Sequence, residues 1–156
     1  MTTAGAATTR SALVGQVGAG VIGGLVGGII FGVIMATGSD MLIVMIGQLL
    51  SSDSTSQALG WVVHLAISIF AGGLFAVLVT KLARTWLVAT LLGVVYGVIW
   101  WLVGAMWIMP TWLGMSQMIF DWNDNSQLSL WGHLAFGLVL GLVYGMLAPR
   151  LAARRS

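Results

Sequence analysis

Cysteine is absent from this chain, proline occurs twice, and charged residues make up only 6% of it. Without cysteine there is no disulfide, no thiolate nucleophile and no zinc–thiolate cluster. Soluble domains carry about a quarter of their residues as charges, so this composition leaves almost nothing from which a water-soluble domain could be built. Enzyme signatures are equally scarce. No nucleophile stands in an activating context, no pair of carboxylates is spaced for acid–base work, and no His-Glu-x-x-His zinc motif occurs. The run Gly15-Gln16-Val17-Gly18-Ala19-Gly20 opens an apolar stretch instead of following a strand, so it is not a dinucleotide fingerprint. A non-enzymatic protein without a metal site is the expectation.

What fills the chain is apolar: 59% hydrophobic residues and a mean hydropathy of +1.03. Stretches long enough to cross a bilayer, about 20 residues each, lie at roughly 12–36, 59–80, 86–108 and 130–149. The first is too long for the apolar core of a signal peptide and lacks a small-residue cleavage site, so it is expected to be retained. The expected fold is an all-α membrane protein of four transmembrane helices occupying residues 12–150, between a frayed tail at 1–11 and a short tail at 153–156. Pro110 should end or kink the third span, and Pro149-Arg150 should mark the exit of the fourth. Spans 2 and 3, joined by a short connection, should be antiparallel neighbours. The apolar segments 41–50 and 111–120 are too short to cross and should be interfacial or re-entrant.

The charges are sorted. Arg10, Lys81, Arg84, Arg150, Arg154 and Arg155 flank one set of span ends; Asp40, Asp53, Asp121 and Asp124 all lie in the other connections. This is the positive-inside pattern, by which both termini should be cytoplasmic. A sequence pI near 9.7 could suggest nucleic acid, but these cations sit at span ends without interleaved aromatics, so anionic lipid is the expected contact. Seven of the eight tryptophans (61, 100, 101, 107, 112, 122 and 131) belong to the acidic side, more than headgroup anchoring requires. They suggest a contact surface for other integral membrane subunits.

Glycine is the third feature. Gly20, Gly24, Gly28 and Gly32 recur every four residues in span 1, which places them on one stripe of a helix. Ala89, Gly93 and Gly97 form a stripe in span 3, Gly72 belongs to one in span 2, and Gly137, Gly141 and Gly145 form one in span 4. In lipid such stripes let backbones approach closely, within the monomer, against another protein or against a second copy of the chain.

The chain also repeats itself. Residues 64–83 align without a gap on 133–152 with seven of twenty identities, including His64-Leu65-Ala66 on His133-Leu134-Ala135, Gly72 on Gly141 and Leu82-Ala83 on Leu151-Ala152. At an offset of 65, Gly28 falls on Gly93 and Phe31-Gly32-Val33-Ile34 on Tyr96-Gly97-Val98-Ile99. Two tandem two-helix repeats, about 12–84 and 85–152, follow, related by an axis along the membrane normal.

His64 and His133 are the only side chains with evident site chemistry, and each heads a small-residue stripe. They could ligate one haem or a pigment from opposite sides, hydrogen-bond a quinone, or satisfy a carbonyl at the headgroup boundary. Met41, Met45, Met106, Met109, Met115 and Met118 lie on the acidic side, where adaptable apolar filling is preferred to soft-metal binding. No ionisable residue lies mid-span, which argues against an ion-coupled transporter.

The paired openings His64-Leu65-Ala66 and His133-Leu134-Ala135, the run Gly141-Leu142-Val143-Tyr144-Gly145 and the Trp- and Pro-containing end of span 3 resemble an uncharacterised family of small bacterial four-span membrane proteins. That resemblance implies a four-helix bundle in a bacterial inner membrane and no activity. The expected function is an accessory or scaffold subunit of a respiratory or photosynthetic quinol or electron-transfer assembly. The alternatives are a small bis-histidine haem, pigment or quinone protein and a small transporter or channel.

The cysteine-free background makes orientation directly measurable. In intact cells, an impermeant maleimide should label Ser52→Cys, and should label Ser156→Cys only after permeabilisation; the reverse pattern inverts the topology.

Overall fold

Close backbone approach at glycine decides which helix faces meet. A computed structural model describes residues 3–153, with residues 3–10 and Asp40 described by their backbone alone. Six α-helices follow in order: α1 (Thr3–Gly38), α2 (Asp40–Gln48), α3 (Gln57–Val79), α4 (Trp86–Trp100), α5 (Met109–Trp112) and α6 (Asp124–Ala153). A π-helix (Trp101–Ile108) joins α4 to α5, and a 3-10 turn (Ser116–Met118) precedes α6. No strand occurs among the described residues. Ser11–Gly38, Gln57–Val79, Trp86–Trp112 and Asp124–Ala153 are long and apolar enough to cross a membrane, and the protein is a membrane protein.

Local chemistry sets the helix starts. Ser56 and Thr85 cap α3 and α4 by accepting from the N–H groups of Leu59 and Val88, each at 3.2 Å. Asn123 and Ser126 form a reciprocal capping box at the start of α6: Asn123 Oδ1 accepts from the Ser126 N–H at 3.0 Å and Ser126 Oγ from the Asn123 N–H at 2.8 Å. Three boundaries differ from expectation. Residues 3–11 continue α1 instead of forming a tail. The helix of span 3 runs through Pro110 to Trp112, and α6 runs through Pro149 to Ala153. Proline removes one N–H and crowds the carbonyl four residues back. At Pro110 that carbonyl belongs to Met106, and it accepts instead from the Phe120 N–H at 3.0 Å. The helix is relieved by widening into the π turn, whose last N–H, that of Met109, reaches back to Gly104. Of the terminal segments, residues 1–2 and 154–156 lie outside the described residues.

The four long helices run antiparallel in the order α3, α1, α6, α4. The expected stripes are engaged inside the chain. A methyl group added at Gly24 would sit on the Ser68 carbonyl and 2.9 Å from Gly72 Cα, and one at Gly20 on the Gly72 carbonyl. At Gly28 it would meet Ser68 Cβ at 2.5 Å, and at Gly32 the ring of Trp61. The other half does the same: Gly93 faces the Gly137 carbonyl and Gly141 Cα, Gly97 the His133 carbonyl, Gly141 the Ala89 carbonyl, and Gly145 lies 2.7 Å from Trp86 Cα by the same measure. The contacts of Gly28 on Ser68 and Gly93 on Gly137 occupy positions that the internal match relates.

A third seam joins the halves. A methyl added at Gly27 would lie 2.9 Å from the Phe136 carbonyl, at Gly23 3.0 Å from that of Leu140, and at Gly15 2.6 Å from that of Leu151, so α1 lies along α6 over most of its length. Two-fold symmetry would require α3 and α4 to meet in the same way. They do not: α3 and α4, the antiparallel neighbours expected of spans 2 and 3, touch at only a few points. The internal match shows a difference there: the positions equivalent to Gly23, Gly27 and Gly132 are Val88, Leu92 and Val63, which lack the bare backbone that closes the α1–α6 seam. Tyr96 bridges the gap, its hydroxyl donating to the Ala71 carbonyl at 2.8 Å.

The core lies around Phe75, which is fully buried with its ring 5.3 Å from Tyr96 and 5.5 Å from Tyr144. Outward faces stay apolar, as with Ile22, Val26, Ile29 and Val33 of α1, all exposed. The apolar segment 41–50 becomes α2, which buries Leu42, Ile43 and Met45 and seats Ile43 against Gly60 of α3.

Two substitutions separate packing glycines from idle ones. Gly24→Ala should destabilise the fold by about 1–3 kcal/mol through forced separation of α1 and α3. Gly18→Ala, where an added methyl meets nothing within 4 Å, should be neutral or stabilise by up to about 1 kcal/mol. Unfolding in detergent reads both.

Candidate ligand-binding site

Between α3 and the third span, in the half of the bundle that holds the histidines, lies a cavity of about 340 Å³, walled on the third span by Trp100 at the end of α4, the π-helix and α5. Its polar lining comes from two helices: His64 and Ser68 on α3, Ser129 and His133 on α6. The rest is apolar, with Phe31 and Trp100 as the aromatic walls and Gly104 and Ala105 of the π-helix as the shallow one. Ile67, Ile108 and Trp112 also line it and are themselves exposed, Trp112 at 71%. The mouth therefore opens sideways, on the apolar surface of the bundle.

The two histidines are equivalent in the repeat but bonded differently. Nε2 of His64 donates across the α1–α3 seam to the Gly28 carbonyl at 2.9 Å. Nδ1 of His133 donates down its own helix to the Ser129 carbonyl at 2.8 Å, with Ser129 Oγ at 3.4 Å. Carbonyl oxygens only accept, so each bond assigns the proton of its ring: Nε2 in His64, Nδ1 in His133. No carboxylate lines the cavity, and such apolar walls suit the uncharged imidazole. Each ring therefore keeps one lone-pair nitrogen, Nδ1 of His64 and Nε2 of His133. Neither has a hydrogen-bond partner among the described residues.

Phe31 packs on both imidazoles, its ring centroid 5.1 Å from that of His64 and 4.5 Å from that of His133. A macrocycle ligated by both histidines would have to displace this phenyl. The Gly28 bond also occupies Nε2 of His64. The arrangement is thus a poor haem site, and it suits a smaller ring that approaches the two lone pairs from the cavity side. Ser68 Oγ donates to the His64 carbonyl at 2.8 Å, which leaves its lone pairs facing donors only. Every polar atom available to an occupant from the histidines is an acceptor.

The seam, Phe31, Trp100 and the π-helix were not apparent as site elements from the sequence. The signal that could have found the seam is the replacement of glycine by Val63, Val88 and Leu92 on one side of the repeat. The expected packing residues Gly20, Gly24, Gly28, Gly32, Gly72, Ala89, Gly93, Gly97, Gly137, Gly141 and Gly145 lie in the helix seams, so they are not free to dock another protein. Of the seven tryptophans on this side, Trp101 is buried and donates to the Ser126 carbonyl at 3.0 Å, Trp61 and Trp100 pack on the core, and Trp107, Trp112, Trp122 and Trp131 are exposed.

Residues 14–154 match the model of a family of unknown function, DUF6789, and the chain belongs to that family. No curated protein and no solved structure matches it.

The two protonation patterns are visible by ¹⁵N NMR of histidine side chains. His64 should appear as the Nε2–H tautomer and His133 as the Nδ1–H tautomer; the same tautomer at both sites would contradict the assigned bonds.

Proposed function

We propose that this member of family DUF6789 is a non-enzymatic subunit of a bacterial membrane assembly that handles quinol, and that the α3–α4 cavity holds the quinol. The observation that carries the reading is a pair of histidines lining an apolar cavity, each with one ring nitrogen free of any protein bond. An occupant needs an apolar body small enough for about 340 Å³, hydroxyl donors on its head, and a route from the lipid. A hydroquinone head supplies two O–H donors, and its isoprenoid tail can leave between α3 and α4 past Ile67 and Ile108. The oxidised quinone offers only acceptors, so it would face both histidine lone pairs with its own and would have the Ser129 hydroxyl as a donor. Two acceptors against that one hydroxyl favour the reduced form.

The absence of an acid–base pair supports binding instead of turnover, and so does the engagement of both histidines in carbonyl bonds. Docking to other integral subunits falls to the exposed Trp107, Trp112, Trp122 and Trp131, since the glycine stripes are buried between helices. With the cations on the cytoplasmic side, the cavity lies in the outer leaflet.

Titration of the protein in nanodiscs with a short-tailed benzoquinol and the matching benzoquinone tests this reading. Each hydrogen bond contributes about 1 kcal/mol, so quinol should bind roughly tenfold more tightly than quinone. His64→Leu and His133→Leu should each erase most of that preference, and Ile67→Trp should obstruct entry of both ligands. Equal affinity for the two redox forms, or none for either, would end the proposal.

A further inference from the structure

A second, smaller cavity of about 40 Å³ adjoins the first, and four methionines line it. Met45 comes from α2, Met106 and Met109 from the π-helix and its junction with α5, and Met118 from the 3-10 turn, so three separate stretches of chain converge there. Met45 and Met106 are buried, at 3% and 5% exposure. Asp121 and Asn123 also line the space, and Asp121 Oδ2 accepts from Asn123 Nδ2 at 2.6 Å. The loop that carries Met118 is tied over the π-helix by the Phe120 N–H bond to the Met106 carbonyl.

Methionine in a core ordinarily fills gaps, because its unbranched side chain adapts to irregular space. Here four of them surround a gap. We infer that Met45, Met106, Met109 and Met118 form a site for one monovalent soft cation, Cu(I) or its analogue Ag(I). Thioethers are soft, neutral ligands that select Cu(I) over harder ions. Among the described residues no group of three or more His, Cys, Asp or Glu could hold a metal, so zinc, calcium and magnesium lack the nitrogen, thiolate or oxygen sets they require. The volume admits a single ion and excludes an organic ligand. Thioethers leave the charge of the ion uncompensated, and the carboxylate of Asp121 lies beside it to offset that charge. All four aspartates of the chain fall in the connections at this end, and every lysine and arginine falls at or beyond the other. A cation approaching here meets an acidic surface. The inference stands on the methionines and is independent of what the larger cavity holds.

The full-length protein in detergent is titrated with Ag(I), and with Cu(I) under reducing conditions against a competing chelator. One ion per chain is expected, with Zn(II) not retained. Met106→Leu combined with Met118→Leu, which nearly conserves core volume, should weaken Ag(I) binding by roughly tenfold or more. Met41→Leu combined with Met115→Leu, at methionines outside the cavity, should leave it unchanged. Failure of the wild-type chain to bind one ion, or equal binding by the Met106/Met118 double variant, overturns the site. X-ray absorption of the copper-loaded wild-type protein decides the matter without any variant: a shell of sulfur alone supports it, and a nitrogen or oxygen shell refutes it.

Discussion

Inside lipid, nothing hydrophobic drives one helix against another, and contact must come from backbones lying close enough for dispersion to act over long surfaces. Glycine is the side chain that permits this, and every well-packed seam of the bundle has it. The α1–α3 pair closes through Gly20, Gly24 and Gly72, the α4–α6 pair through Gly93, Gly137 and Gly141, and the α1–α6 pair through Gly15, Gly23 and Gly27. In water these glycines would weaken their helices by roughly 1 kcal/mol each. In the bundle they are the condition for its assembly.

The same rule bears on the open side of the bundle. The internal match relates the α1–α3 seam to the α4–α6 seam and the α1–α6 seam to the α3–α4 one, and three positions of the last carry Val63, Val88 and Leu92 where the α1–α6 seam carries glycine. Bare backbone is missing there, and α3 and α4 touch at only a few points. The π-helix adds to it. Pro110 deprives Met106 of its helical partner, the turn widens, and Gly104 and Ala105 present a shallow wall. A cavity formed in this way needs no hinge or inserted domain; it is the incompletely packed fourth side of a bundle whose other three sides are closed.

Chemistry then follows from what faces the space. Two histidines at matched positions of the chain are bonded differently because their surroundings differ: Gly28 offers a carbonyl to one, while Ser129 offers both a carbonyl and a hydroxyl to the other. Opposite nitrogens are thereby tied up, and opposite nitrogens are left as acceptors. Nearby, the capping box at Asn123 and Ser126 and the Trp101 bond to the Ser126 carbonyl hold the start of α6 and the loop before it, on which the methionine-lined cavity depends.

Much of this was legible in the chain before any coordinates. Hydropathy and helical period are local properties, so four spans, the glycine stripes and the pairing of His64 with His133 could be read directly. The helix ends could not: proline at 110 reads as an end or a kink and at 149 as an exit, yet both helices continue past them, at Pro110 because a distant N–H and a widened turn relieve the freed carbonyl. The short connection makes spans 2 and 3 antiparallel neighbours, but how loosely their faces meet was not legible, because a connection brings helix ends together without making faces fit. By itself, then, the sequence determined that this is a four-helix membrane protein with small-residue faces and two matched histidines, since each of those follows from residues within one helix. Which seam closes, which stays open, which imidazole nitrogen remains free and which methionines meet were decided only in three dimensions, because each depends on groups that lie far apart along the chain and touch only once the helices have packed.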